Sequence, residues 1–331
     1  MRAFEYTSPK QKQQAIGLLG TQWNDAEVLA GGSDLLSLMK DDIVHPKRLV
    51  NVKEMEELHG VSFTPSRGLR IGALTTLVEL SQTRNAREHY PMLADAAGDA
   101  ASPQIRNVAT IAGNMCQRPR CWWFRNGFGL LAMGPDGKSL VLQGDNRHHA
   151  ILGNEGPAYF VSPSSVAPVL IAYGAHIRLF GPKGARELPL EKFFVIPKRE
   201  GEREHDLRPN EIVTEILVPP AGSAVKSGHY EVRQKEAFDW PYATASVLLN
   251  MNGDNVRSAR IVMGRVAPVP WFSAEASQAL VGKTIDEEIA NAAGAAAVAN
   301  AKSLGRNKHK IKLAQVAVKR AILRAAQGGQ A

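Results

Sequence analysis

The chain has only two cysteines in 331 residues, Cys116 and Cys121. Two cannot staple a chain of this size, and no third sulfur completes a cysteine metal site. No apolar run approaches the ~20 residues that a membrane-spanning helix needs. The opening residues, Met1-Arg2-Ala3-Phe4-Glu5-Tyr6, contain no apolar stretch of the kind found in signal peptides. A cytoplasmic location is therefore the expectation, with co-export beside a signal-bearing partner still compatible. No G-x-G-x-x-G follows a strand pattern, so a Rossmann reading has no anchor. Gly134-Pro135-Asp136-Gly137-Lys138-Ser139 has two residues between its glycines where a phosphate-binding P-loop has four, and it reads as a polar turn. Internal repeats and low-complexity tracts are also missing.

What is present is an ordinary globular composition, 44% hydrophobic and 22% charged, at about twice the length of a typical domain. Two domains are expected. The formal charge of +8 raises nucleic acid as a partner. Lys and Arg are spread along the chain, however, and nothing resembles a zinc finger, an RNP motif or a basic zipper, so no nucleic-acid partner is expected. The densest basic stretch, Lys302 to Arg324, reads as a helix. Its apolar Ile311, Leu313, Val316, Val318, Ile322 and Leu323 lie between Lys308, Lys310, Lys312, Lys319 and Arg320. These cations are expected on a solvated face, with docking on an acidic partner subunit as the alternative.

Strands and helices alternate. Early strands are expected at Glu27–Leu29, Arg48–Val52 and Leu69–Ala73, and Thr76 with Glu79 has capping-box spacing for a helix from Leu77. A helix over Val166–Tyr173 leads into a strand over Ala175–Phe180. The run Pro219-Pro220-Ala221-Gly222-Ser223 cannot continue a sheet ladder and marks a boundary. Beyond it, strands over Ala243–Met251 and Ser258–Met263 pair across Asn252-Gly253-Asp254-Asn255. Helices follow near Ser273–Val281, Asp286–Ala301, with Thr284 and Glu287 as a second capping box, and Lys308–Ala326. The expected layout is residues 1–222, with an inserted loop at about 115–158, and then a smaller α+β domain at 223–331.

Two segments could carry chemistry. Leu29-Ala30-Gly31-Gly32-Ser33-Asp34-Leu35-Leu36 runs from a short strand into a helix start. Adjacent glycines allow close backbone approach, and the amides after them favour an anion, with a pyrophosphate the natural occupant. A plain strand-to-helix turn capped by Ser33 or Asp34 explains the same residues. The second segment, Ile105 to Asn114, offers small residues at Ala109, Ala112 and Gly113, with hydroxyl and amide groups at Thr110 and Asn114. Either alone could be a buried turn; their joint occurrence gives them weight.

The pairing of an AGG(S/T)DL loop with IRNxATIxGN about 75 residues later resembles the FAD-binding subunit of the xanthine dehydrogenase and carbon monoxide dehydrogenase family. Further matching segments are Ile71–Thr75, Ser162-Pro163-Ser164, Pro168–Ala172, Thr214–Ile216 and Gly264–Pro268, so the resemblance spans essentially the whole chain. It implies an α+β chain, with a two-part FAD domain of the molybdopterin dehydrogenase type followed by a smaller C-terminal domain. FAD would rest on Leu29, Ala30, Gly31, Gly32, Ser33, Asp34, Leu35 and Leu36 together with Thr110, Ile111, Ala112, Gly113 and Asn114. A lysine near the flavin in some members points to Lys235, or to Arg233. The implied partners are a molybdopterin-binding large subunit and a [2Fe-2S] small subunit, with FAD passing electrons to an external acceptor. A stand-alone flavin oxidoreductase and an assembly subunit with a decayed flavin site are the alternatives. No catalytic acid, base or nucleophile is expected, since the cofactor carries the chemistry.

The stretch Asn114 to Gly127 resembles the branch containing hydroxybenzoyl-CoA reductase and the periplasmic aldehyde oxidoreductases, whose inserted loop holds a [4Fe-4S] cluster. Only Cys121 matches a ligand position. The places near Leu130, Ser139 and Ala158 lack sulfur, and Asp136, Asp145, His148 and His149 would be unusual substitutes. The expectation is a loop kept and a cluster lost. Trp122, Trp123 and Phe124 are expected to pack that loop, Trp122 being kept as a candidate flavin contact. Ser165 stands where the resemblance calls for an acidic residue.

Overall fold

The structure is a computed structural model that describes residues 1–235 and 238–328. Strands β1 (Glu5–Thr7), β2 (Ala26–Leu29) and β3 (Arg48–Asn51) form a parallel sheet in the order β1-β3-β2. Parallel neighbours cannot be joined by tight turns, and the helices Lys12–Leu18 and Leu35–Lys40 make the crossings. The glycine loop lies between β2 and the second of these helices.

A second sheet joins β4 (Val61–Thr64), β5 (Gly68–Gly72), β6 (His176–Gly181), β7 (Gly184–Pro189) and β8 (Ile212–Val218). It is antiparallel, in the order β4-β5-β8-β6-β7. Its inner face follows the period of two: Ile177 and Leu179 are fully buried while Arg178 between them is not. On the outer face Arg70 and Arg178 both pair with Glu215. Between β5 and β6 the chain forms the helices Leu77–Gln82, Arg84–His89 and Pro91–Asp99. The expected capping box at Thr76 and Glu79 is present in both directions. The segment after Cys116 packs its own small core of Phe124, Leu130, Leu131, Ala158 and Phe160 against Leu38.

The last sheet joins β9 (Val225–Val232), β10 (Ala243–Asn252), β11 (Asn255–Gly264) and β12 (Trp271–Phe272) in the order β12-β11-β10-β9. The hairpin turns at Gly253, whose φ of 59° suits a glycine, with Asn252 opposite Asn255. Ala243, Ala245, Val247 and Leu249 of β10 are fully buried against the helices Glu287–Ala297 and Lys308–Ala326. Ile151 and Leu152 join this core, both donating their amides to the Val266 carbonyl, so the segment after Cys116 is stitched to the last domain.

Two local expectations fail for identifiable reasons. Thr284 does not open a capping box: its hydroxyl donates to Asn255 Oδ1, and Asp286 caps the helix by accepting from the Ile289 amide. Lys310 is not on a solvated face. It is 1% exposed, and its ammonium donates to the carbonyls of His148 and His149 at 2.9 and 3.0 Å. A helix-periodic pattern shows which positions are apolar but not which lysine will meet buried carbonyls from a distant loop.

Candidate functional site

A cleft opens between the first sheet and the second. Apolar side chains wall it: Leu19, Val28, Val52, Leu58, Leu74 and Ile212. Of the residues singled out in sequence, Ala30, Gly31, Gly32, Ser33, Asp34, Leu35, Thr110, Ala112 and Gly113 all line it. The structure therefore brings the two loops together across about 75 residues of chain.

The contact between the loops explains Gly31 differently from the sequence reading. A Cβ added there would fall 1.8 Å from the Val108 carbonyl oxygen, so this glycine is required by the second loop's backbone. Gly32 adopts φ 71°, a left-handed turn that L side chains rarely take. Around that turn the amides of Gly31, Gly32, Ser33, Asp34 and Leu35 donate to no acceptor among the described residues. Successive free amides at a turn into a helix form an anion-binding concavity.

The second loop contributes in another way. Thr110 caps the helix Ile111–Cys116 by accepting from the Gly113 amide at 3.1 Å, while the Ile111 and Ala112 amides donate to Thr75 and Ala73 carbonyls. Asn114 Oδ1 accepts from the Ser164 hydroxyl at 2.6 Å. These groups are largely committed within the protein, so the loop works as a rigid floor. Gly113, exposed and without a side chain, keeps that floor open to the cleft.

Asp34 is not a helix cap; no side-chain cap bond is formed. Its carboxylate instead accepts from the Arg118 amide at 2.8 Å and from the Arg125 guanidinium at 2.7 Å, with Arg120 at 3.1 Å. Sequence reasoning missed these three arginines. Their signal was the short spacing Arg118-Pro119-Arg120, with Arg125 one helical turn beyond. Deeper in the cleft, burial holds His205 neutral, its pKa lowered to about 4, and pushes the Cys116 thiol up to about 12. Neither is poised to act as an acid, a base or a nucleophile near neutral pH.

The remaining candidates lie elsewhere. Leu29 is buried beneath the loop and Ile111 beneath the second one, while Leu36 points outward on the helix. Trp122, 71% exposed, lines a separate cavity on the far side of the arginine cluster. Lys235 is exposed and lines neither cavity; its amide donates to Asp239 Oδ2. Arg233 pairs with Glu231 and donates to the Asp99 carbonyl. Cys121 Sγ sits 3.2 Å from His149 Nε2. Among the described residues no group of three His, Cys, Asp or Glu side chains could hold a metal ion.

A two-lobed cleft with an amide-lined loop, followed by a separate α+β domain, defines a flavin-binding subunit. Residues 2–221 match the FAD binding domain in molybdopterin dehydrogenase, and residues 228–325 match the CO dehydrogenase flavoprotein C-terminal domain. The chain belongs to the family of FAD-binding medium subunits of the xanthine and carbon monoxide dehydrogenases, and it is a flavoprotein component of an oxidoreductase. It is 31% identical over 296 residues to the carbon monoxide dehydrogenase medium chain of Hydrogenophaga pseudoflava, covering 89% of this chain and 86% of that one. It is 30% identical to the aldehyde oxidoreductase FAD-binding subunit PaoB of Escherichia coli, covering 82% and 84%. The solved carbon monoxide dehydrogenase from H. pseudoflava superposes with a TM-score of 0.76 over 100% of this chain and 99% of that one.

Proposed function

We propose that this chain holds one FAD in the cleft and relays electrons within a molybdenum hydroxylase. A molybdopterin large subunit would oxidise the substrate, and a [2Fe-2S] small subunit would deliver electrons to the flavin for an external acceptor. The observation that carries the reading is the run of five unengaged amides from Gly31 to Leu35, set against an apolar-walled cleft. A pyrophosphate on those amides would leave the flat rings of FAD against the cleft walls, which suits the residues present. Bound FAD supplies a centre that can take up two electrons and release them one at a time.

The chain's own residues bind and position. The Gly31–Leu35 amides would hold the phosphates, Gly113 would admit the cofactor over the capped helix, and Asp34 would keep the loop's exit fixed through its arginines. The test is direct: acid release from the purified full chain should yield about one FAD per chain, and none should be recovered if the reading fails. Co-purification with molybdopterin and [2Fe-2S] subunits, and flavin reduction only when the complete complex meets its substrate, would support the electron path.

A further inference from the structure

A second cavity, of about 740 Å³, lies between the segment after Cys116 and the last domain. This is within the size range of small-molecule sites. It does not share its lining with the cleft, and Asp34, with Arg120 and Arg125, forms the partition. Five cationic side chains face it: Arg120, Arg125, Arg147, Arg265 and Lys310. Three are answered by carboxylates, Arg120 and Arg125 by Asp34 and Arg147 by Asp145. Asp239, the other acid in the lining, accepts backbone amides from Lys235 and Trp240.

Arg265 and Lys310 have no such answer. Neither is in an ion pair among the described residues. Arg265 is 4% exposed, and its only side-chain hydrogen bond among those residues is a long one, 3.5 Å to Ser165 Oγ, while its Nε has no partner. The nearest acidic influence is Glu231, already paired with Arg233 and His229. Its backbone is left-handed, at φ 65°, a conformation that costs a side-chain-bearing residue roughly 1 kcal/mol. Burial lowers the pKa of Arg265 to about 9 and that of Lys310 to about 7, so both charges are held against their preference for water. A strained residue carrying an uncompensated buried charge into a cavity points to a bound counter-charge. At the rim stand large aromatic surfaces: Trp122 is 71% and Trp240 48% exposed, and Arg265 and Arg120 both stack on Trp240. Cationic depth with exposed rings at the mouth suits a ligand that has phosphates at one end and a flat ring at the other.

We infer that this cavity is a binding site for a nucleoside phosphate, separate from the cleft, with Arg265 and Lys310 receiving the phosphate and the rim tryptophans receiving the base. Ser165 is what leaves the site open, because a carboxylate at that position would neutralise Arg265 from within.

The test is calorimetric titration of the full chain, with FAD already bound, using ADP, adenosine and inorganic phosphate as probes. ADP should bind, and adenosine at least tenfold more weakly. Arg265→Gly should weaken ADP at least tenfold while Tm stays level or rises, because glycine relieves the left-handed strain and removes a buried charge. Ser165→Asp should weaken ADP by a similar factor. A merely structural Arg265 would instead show a lower Tm in Arg265→Gly with ADP affinity unchanged. The inference is overturned by that result, by no ADP binding at millimolar concentration, or by ADP binding that disappears when FAD is loaded.

Discussion

The α-carbon of Gly31 packs against the main chain of Val108, so tightly that a Cβ there would fall 1.8 Å from the Val108 carbonyl oxygen and 3.3 Å from the Ala109 α-carbon. Backbone cannot step aside as a flexible side chain can. Gly31→Ala is therefore already expected to part the two loops, and Gly31→Val to part them further, at a cost of about 3 kcal/mol in stability. Flavin content should fall below a tenth of wild type in Gly31→Val, read by absorbance after acid release. Full flavin retention in a folded variant would show that the loop contact is dispensable for the cofactor.

Asp34 fixes the exit of the same loop. It is shared by two guanidiniums and the Arg118 amide in a largely buried setting. Removing the charge leaves Arg120 and Arg125 facing one another with less compensation, and breaking a buried pair from one side costs about 3 kcal/mol or more. Because Arg120 is a third exposed, a loss nearer 2 kcal/mol is expected for Asp34→Asn. Urea unfolding of wild type and variant measures it, and weaker FAD retention should accompany the loss. An unchanged midpoint would mean that solvent already screens the cluster.

Much of this was legible in the sequence, and the reasons differ by element. The hairpin at Asn252–Asn255 and the long C-terminal helix were visible because turn chemistry and helical period act locally. The two cofactor loops were visible because each is a compact, glycine-marked string. Asp34's arginines, the burial of Lys310 and the position of Arg265 were not, because each depends on partners more than 80 residues away or on a loop path that no local pattern encodes. Gly31 was found for one reason and is needed for another, since a glycine in sequence shows that something comes close without showing what.

Cys121 lies beside His149 without a third ligand in reach among the described residues. Purified chain, handled without oxygen, should therefore carry well below one iron per chain, and Cys121→Ser should leave both its visible spectrum and its stability nearly unchanged. About four irons per chain, with sulfide to match, would overturn the expectation and require ligands outside the ordinary cysteine set.

His205 gives the chain an acid-sensitive point. It is buried at the cleft, stacked on Phe193 at 5.3 Å, with Glu204, Arg118 and Arg203 nearby. Desolvation lowers its pKa from 6.5 to about 4, partly opposed by Glu204. A histidine whose folded pKa lies below its unfolded value binds more protons unfolded, so the fold loses stability as pH falls from about 6.5 to about 4. His149 has the same displacement, to about 4, and adds to the slope. The effect of each is on the order of 3 kcal/mol at full expression. Replacing His205 with Phe keeps a flat ring against Phe193 and removes the titration. The Tm drop between pH 7.5 and pH 5 should then be smaller than in wild type, while Tm at pH 7.5 changes little. An identical drop in both proteins would assign the acid sensitivity to other groups.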